Sequence, residues 1–286
     1  MPSLHPTPYP ALNGLLRELA NGARTILGDN FTGAYLQGSL AIGDFDEHSD
    51  IDFLIVIEEE LTDAQLSALQ SLHRRLYGLG GRYPPDCPTP TRILAPDHWE
   101  TSLEGTYFPR QLLKRPGPAR VRPWYLDNGS TTLERSDHDD TLVVRWTLRE
   151  RGITLAGPAP RSLIDPIPDD AMRQEVRATM HLIETLLADS FWNSRFGQPF
   201  AVLTFCRMLQ TLATGTITSK RAGAVWGREK LDRQWHGLIE RAWNARGHGH
   251  VSEPADPNEF ARTREFIRYA IAESDRLLSA LIPPLQ

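Results

Sequence analysis

Two aspartates one residue apart, Asp50 and Asp52, stand at the head of an apolar run, IDFLIVI, that reads as a strand. At positions i and i+2 of a strand, both carboxylates share one face. Adjacent carboxylates repel, and beside a buried sheet they are tolerated when a cation lies between them. Oxygen ligands of this kind suit Mg²⁺, which keeps several waters and is usually completed by substrate phosphates. Upstream, a second strand-like run at 34–37 ends in Gly38-Ser39, and ten residues separate that pair from Asp50. Gly-Ser lets backbone N–H groups come close to a charged ligand. A phosphate cradle facing a two-carboxylate metal site is the outline of phosphoryl or nucleotidyl transfer. An Asp-x-Asp alone is common on surfaces, and it is the Gly-Ser pair at this distance that makes this one informative.

A third carboxylate, Glu104, stands inside TSLEGTYF (101–108), a stretch of good β-propensity. An acid in mid-strand needs a cationic or catalytic partner, so Glu104 reads as a metal ligand or as the general base for an acceptor hydroxyl. A further pair lies far downstream. Arg207 is the only charge in AVLTFCRMLQTLATG, and Lys220 follows in TITSKRAGAVWG. A charge on a helix that otherwise wants burial requires an anionic partner. Triphosphate oxygens would serve, with Arg as a fork and Lys as a point charge; a salt bridge to an acid of the front half is the alternative.

These residues need a frame. Leucines at 12, 15, 16 and 19, with Ala23, Ile26 and Leu27, predict an amphipathic helix over 10–27, stopped by Gly28. A second helix is expected over 62–77, and glycines and prolines mark 78–90 as loop. The polar stretch 113–136, followed by Asp137 to Asp140 with His138 among them, reads as a long functional or disordered loop. A helix over 141–151 closes the front half, and 156–170, with four prolines, reads as a linker. Beyond Asp169 helical periodicity recurs at 171–191, 199–214, 219–231, 235–246 and 257–281, with no strand pattern.

Composition sets the outer limits. The chain has 286 residues, 40% hydrophobic, and a net charge of −5, which argues against broad nucleic-acid coating. Cys87 and Cys206 are too few and too far apart for a disulfide framework. The opening lacks a charged and apolar leader pattern, and no long apolar run occurs, so a cytoplasmic, monomeric protein without membrane contact is expected.

The pattern Gly-Ser, ten residues, Asp-Ile-Asp and an apolar strand resembles the nucleotidyltransferase superfamily that shares the polymerase β palm. LTFCRMLQTLATGTITSKRAGAVW, GITLAGPAP with LIDPIP, and LEGTYFP further resemble the aminoglycoside adenylyltransferases that modify streptomycin and spectinomycin. Many members carry His where Arg151 stands. The resemblance implies an α+β fold: a polymerase β-like nucleotidyltransferase domain with a mixed sheet over 1–157, then an all-helical bundle over 158–286, with the active site in the cleft between them. It implies Mg²⁺ on Asp50, Asp52 and Glu104, ATP as substrate held by Gly38, Ser39, Arg207 and Lys220, Glu104 in the base position, and AMP transfer to a hydroxyl of a small acceptor. Trp124 corresponds to the family's aromatic drug contact. One departure bears on the acceptor: 193–198, NSRFGQ, carries Arg195 and no acid where the resistance enzymes meet their cationic drug. Two other readings remain, an adenylylating modifier of a protein partner and a silent nucleotide-binding module. The long helical half speaks against the first, and the presence of all three acids against the second.

Overall fold

The computed structural model describes residues 6–46, 49–77, 103–115, 120–187, 189–246 and 253–281. It divides into two compact units, Met1–Ile167 and Pro168–Gln286. The first contains one six-stranded sheet in the order β5-β4-β3-β2-β1-β6. Its strands are β1 (Phe31–Leu36), β2 (Ile51–Ile57), β3 (Leu103–Pro109), β4 (Trp124–Leu126), β5 (Leu133–Arg135) and β6 (Ile153–Ala156). β2 and β3 run parallel, and every other pairing is antiparallel. The sheet is therefore mixed, as expected.

The two faces are covered differently. On one, α1 (Pro10–Leu27) and α3 (Asp63–Tyr77) pack Leu12, Leu16, Leu19, Leu69, Leu72 and Leu76 in one core with Phe53, Ile55, Ile57 and Tyr107. On the other, Tyr35, Leu54, Val56 and Phe108 pack with Leu113, Leu148, Leu163 and Ile164. Because β2 and β3 are buried on both faces, their sequences are near-continuous apolar runs rather than alternating ones. Asp52 and Glu104, one step into these strands, are the interruptions.

Several expectations are revised. The stretch 113–136 holds α4 (Arg110–Lys114) at its start and the β4–β5 hairpin. The connecting segment contains β6, and α5 (Leu142–Arg151) is capped by the Thr141 hydroxyl, which accepts from the Val144 N–H. The division between units falls after Ile167 rather than after Gly157. Leu163 and Ile164 explain why: both are 2% exposed, buried in the second core of the sheet, so 158–167 belongs with the front unit. The loop expected at 78–90, with Cys87, lies outside the described residues, as do Thr101 and Ser102.

The second unit is built from α6 (Asp169–Leu186), α7 (Gly197–Thr214), α8 (Lys220–Lys230), α9 (His236–Ala245) and α10 (Pro257–Leu281). α7 is its central member, with Ala201, Val202, Leu203, Phe205, Cys206, Leu209 and Leu212 all buried. Gly215, at φ 71°, ends it in a left-handed cap. Burial pushes the Cys206 thiol up to about 12, consistent with a small core residue. Among the described residues no helix is long and apolar enough to cross a membrane.

Candidate active site

Parallel pairing of β2 with β3 sets Asp52 directly against Glu104, and Leu54 against Thr106. Thr106 is in turn opposite Tyr125 on β4. Side chains on one face of a sheet repeat every second residue. Asp52, Glu104, Thr106 and Tyr125 therefore stand together on the face whose far end is the Leu54–Val56–Phe108 core. Along these strands that face passes from acidic to apolar.

Gly38 closes the site from above. It opens a five-residue helix, α2 (Gly38–Ile42), rather than a plain turn, and its φ is +58°. A Cβ there would lie 1.8 Å from Asp52 Oδ2 and 2.5 Å from its Cγ, so only glycine lets the backbone sit on the carboxylate. The adjacent Ser39 Oγ is buried and has no hydrogen-bond partner among the described residues. The Gln37 N–H donates to the Asp52 carbonyl at 3.0 Å, which ties this corner to β2. Asp50, just before β2, accepts from Asn128 Nδ2 in the β4–β5 turn. It also follows Ser49, whose hydroxyl closes a small turn with Asp46 at 3.0 and 3.2 Å.

Glu104 is not on an edge strand and not in water. Its side chain is 15% exposed, and Oε1 accepts from the Tyr125 hydroxyl at 2.5 Å and lies 3.2 Å from His138 Nε2. The His138 ring stacks on Tyr125 with centroids 5.0 Å apart. Burial pushes the Glu104 carboxyl up to about 7; the Tyr125 hydrogen bond and the His138 ring oppose the shift, and the charges of Asp50 and Asp139 add to it. Burial and the Glu104 carboxylate raise the Tyr125 hydroxyl, which keeps it a donor.

The segment after Asp137, expected as part of a loop, is a clamp. Asp139 is 5% exposed and accepts from Thr106 Oγ1 at 2.6 Å and from Gln37 Nε2 at 3.4 Å. Asp140 meets Arg145 at 2.6 Å and accepts from the Val121 N–H at 2.7 Å. Arg145, 1% exposed, also donates to the Leu112 and Leu113 carbonyls at 3.0 and 3.2 Å. Three successive residues thus tie β3, the Gly38 corner and α5 into one polar frame.

The described residues hold no group of three His, Cys, Asp or Glu side chains that would cage a metal by themselves. Of the three expected ligands, Glu104 is engaged by Tyr125 and His138, and Asp50 by Asn128. Two carboxylates beside a close backbone approach and an unpartnered buried hydroxyl fit Mg²⁺ completed by phosphate oxygens, since that ion rarely uses an all-protein cage. Trp124 departs from expectation as well. It packs with the α1–α3 core and lies under Arg135 at 4.2 Å, on the face opposite Glu104. Tyr125, its neighbour, is the aromatic residue that reaches the site.

Arg207 and Lys220 lie in the second unit, on α7 and at the first position of α8. A Cβ on Gly223 would be 2.7 Å from Arg207 Cα, so the two helices cross with backbones nearly touching at Arg207. Lys220 Nζ sits 4.6 Å from the centre of the Phe200 ring on α7. Both cations therefore belong to one helix pair. In 193–198, Arg195 is paired with Glu253 at 3.2 Å, which offsets the positive charge that distinguished this segment.

Sequence reasoning placed Asp50, Asp52, Glu104, Gly38 and Ser39 in one unit and missed Tyr125, His138, Asp139 and Asn128. The available signal was the long polar stretch itself, with YLDNG inside it and SDHDD at its end.

A nucleotidyltransferase domain model matches residues 16–80, which include the Gly38-Ser39 corner and the Asp50–Asp52 pair. The model described as the aminoglycoside adenylyltransferase C-terminal domain matches residues 162–273. Spectinomycin 9-adenylyltransferase of Staphylococcus aureus is 27% identical over 221 residues, 77% of this chain and 79% of the relative. The Campylobacter jejuni protein of the same name is 26% identical over 80% of this chain and 83% of its own. In fold the chain is similar to the spectinomycin adenyltransferase of Enterococcus faecialis, solved with ATP and spectinomycin. That likeness has a TM-score of 0.65 at 18% identity and covers 92% of this chain and 98% of the other. Both halves of the chain therefore resemble an aminoglycoside adenylyltransferase-like nucleotidyltransferase.

Proposed function

We propose that this enzyme moves AMP from ATP to a hydroxyl of a small aminoglycoside-like acceptor, with spectinomycin the first to try. The observation that carries the proposal is the Gly38 backbone seated on Asp52, with the orphaned Ser39 hydroxyl beside it and Glu104 opposite. The spectinomycin-modifying relatives support the acceptor class. The acceptor oxygen attacks the α-phosphorus, the bond from that phosphorus to the bridging oxygen breaks, and pyrophosphate leaves with the electron pair. The acceptor's proton goes to Glu104, whose raised carboxyl is near the ideal for a base at neutral pH. Asp50 and Asp52 would hold Mg²⁺, which when bound neutralises charge on the nucleotide's phosphates. Ser39 Oγ and the Gly38 backbone hold terminal phosphate oxygens. Arg207 as a planar fork and Lys220 as a point charge are further phosphate ligands.

The test is incubation of the purified protein with ATP and spectinomycin or streptomycin, with and without Mg²⁺, followed by mass spectrometry. An AMP adduct of the drug that needs Mg²⁺ and disappears in Asp52→Asn is the expected result. Unchanged Mg²⁺-ATP affinity by calorimetry in both Asp50→Ala and Asp52→Ala would end the proposal.

A further inference from the structure

Glu104 has two carboxylate oxygens, and the described residues treat them unequally. The Tyr125 hydroxyl, at 2.5 Å, and His138 Nε2, at 3.2 Å, both address Oε1. Among the described residues Oε2 has no hydrogen-bond partner. Rotating this carboxylate gives up the Tyr125 hydrogen bond and the His138 contact together, so the other oxygen keeps a fixed direction. Tyr125 is held firmly, and the His138 ring, 58% exposed, rests on it. Tyr125 is 3% exposed and paired through its backbone with Thr106, and its ring carries the stacked His138 ring. The backbone beneath His138 is anchored on its C-terminal side by the buried Asp139, bonded to Thr106 and Gln37, and by Asp140 bonded to Arg145. This is a built support. Its parts come from β4 and from the segment before α5, and they converge on one oxygen.

We propose that Tyr125 and His138 are positioning residues for Glu104: by occupying Oε1 they aim Oε2 at the acceptor hydroxyl, so that the proton released on attack is taken by Oε2. This rests on the transferase reading above. Neither residue touches the phosphates or the Asp50–Asp52 pair in this reading, so their loss acts on turnover and leaves Mg²⁺-ATP binding alone. Misaiming a reacting group by about 1 Å can cost on the order of 10²-fold in rate.

The experiment compares wild type with Tyr125→Phe, His138→Ala, His138→Gln and the Tyr125→Phe/His138→Ala double variant. For each, AMP transfer to spectinomycin and the slower release of AMP with water as acceptor are followed, and Mg²⁺-ATP affinity is measured by calorimetry. Tyr125→Phe keeps the ring that His138 stacks on and removes only the hydroxyl. The expected result is a fall in kcat of roughly tenfold or more in Tyr125→Phe and in His138→Ala, with the KM for ATP within about twofold. His138→Gln, which restores a donor, recovers part of the loss. The double variant loses less than the product of the two, because both act on one carboxylate. Near-wild-type kcat in both single variants would overturn the proposal, as would a loss that appears in ATP affinity instead. A crystal structure of the double variant with the Glu104 carboxylate unmoved would overturn it independently of any acceptor. Failure of the transferase reading is separate: it shows as ATP binding indifferent to Asp50→Ala and Asp52→Ala.

Discussion

Replacing Gly38 by alanine adds one methyl group at the most crowded point of the site. The new Cβ would start 1.8 Å from Asp52 Oδ2, 2.5 Å from Cγ and 3.0 Å from Cβ. Contacts between such atoms settle at about 3.5 Å, so the carboxylate has to retreat by well over about 1 Å, or α2 has to lift. The backbone adds its own cost, since φ is +58° and left-handed geometry costs an L-residue about 1–2 kcal/mol. For a chain of this size that strain amounts to a fall in Tm of a few degrees, roughly 2–4 °C per kcal/mol. The larger effect is on function, because both ways out displace either Asp52 or the phosphate cradle. Transfer is expected to fall by about 10²-fold, and Mg²⁺-ATP affinity by tenfold or more. Calorimetry gives the affinity, a transfer assay the rate, and a melting curve separates both from unfolding. A Gly38→Ala protein that melts near wild type and turns over within about twofold of it would show that Asp52 and Gly38 do not share a working site.

Four further outcomes are expected. Glu104 must be ionised to accept a proton, so kcat/KM should rise with pH through about 7, and in Glu104→Gln turnover should be lost while Mg²⁺-ATP still binds. The same raised carboxyl makes a stability statement with the opposite sense: its contribution is present below the ordinary value of 4.5 and fades as pH climbs through about 7, which melting curves of wild type and Glu104→Gln will separate. Arg145→Met leaves Asp140 buried without its cation and removes donors from the Leu112 and Leu113 carbonyls, so a loss of about 3–5 kcal/mol is expected in denaturant titration. Lys220→Ala should weaken ATP binding about tenfold without moving the midpoint of unfolding by more than a degree or two. Equal ATP affinity in Lys220→Ala and wild type would remove that residue from the phosphate site.

Much of this was legible because apolar periodicity and glycine are strong local signals. The helix at Pro10–Leu27 has the predicted bounds, since its leucines repeat on one face between a proline at the start and Gly28 at the end. Gly38 and Asp52 announced their closeness through the spacing of their two motifs. Tyr125 and His138 did not, because their meaning depends on a partner distant in sequence. β4 and β5 are only three residues each and carry no period long enough to detect. β6 was hidden in the same way, and Leu163 and Ile164 sat in a proline-rich stretch whose composition said linker while its two apolar residues said core. Trp124 and Tyr125 show the limit most plainly: neighbours on one short strand face opposite ways, and only the register of β4 on β3 decides which one meets Glu104.

The parallel pairing of β2 with β3 also governs when the site comes into being. Asp52 and Glu104 meet only through that pairing, across the chain that includes α3, and no hairpin can bring them together locally. Pairing of this kind closes a long loop before it gains any contact, so it forms late and slowly compared with helices. During refolding, far-UV ellipticity from the helical unit should therefore recover ahead of the ability to bind Mg²⁺-ATP. A chain arrested with its helices formed and its central strands apart would carry every acidic residue of the site and still be inert.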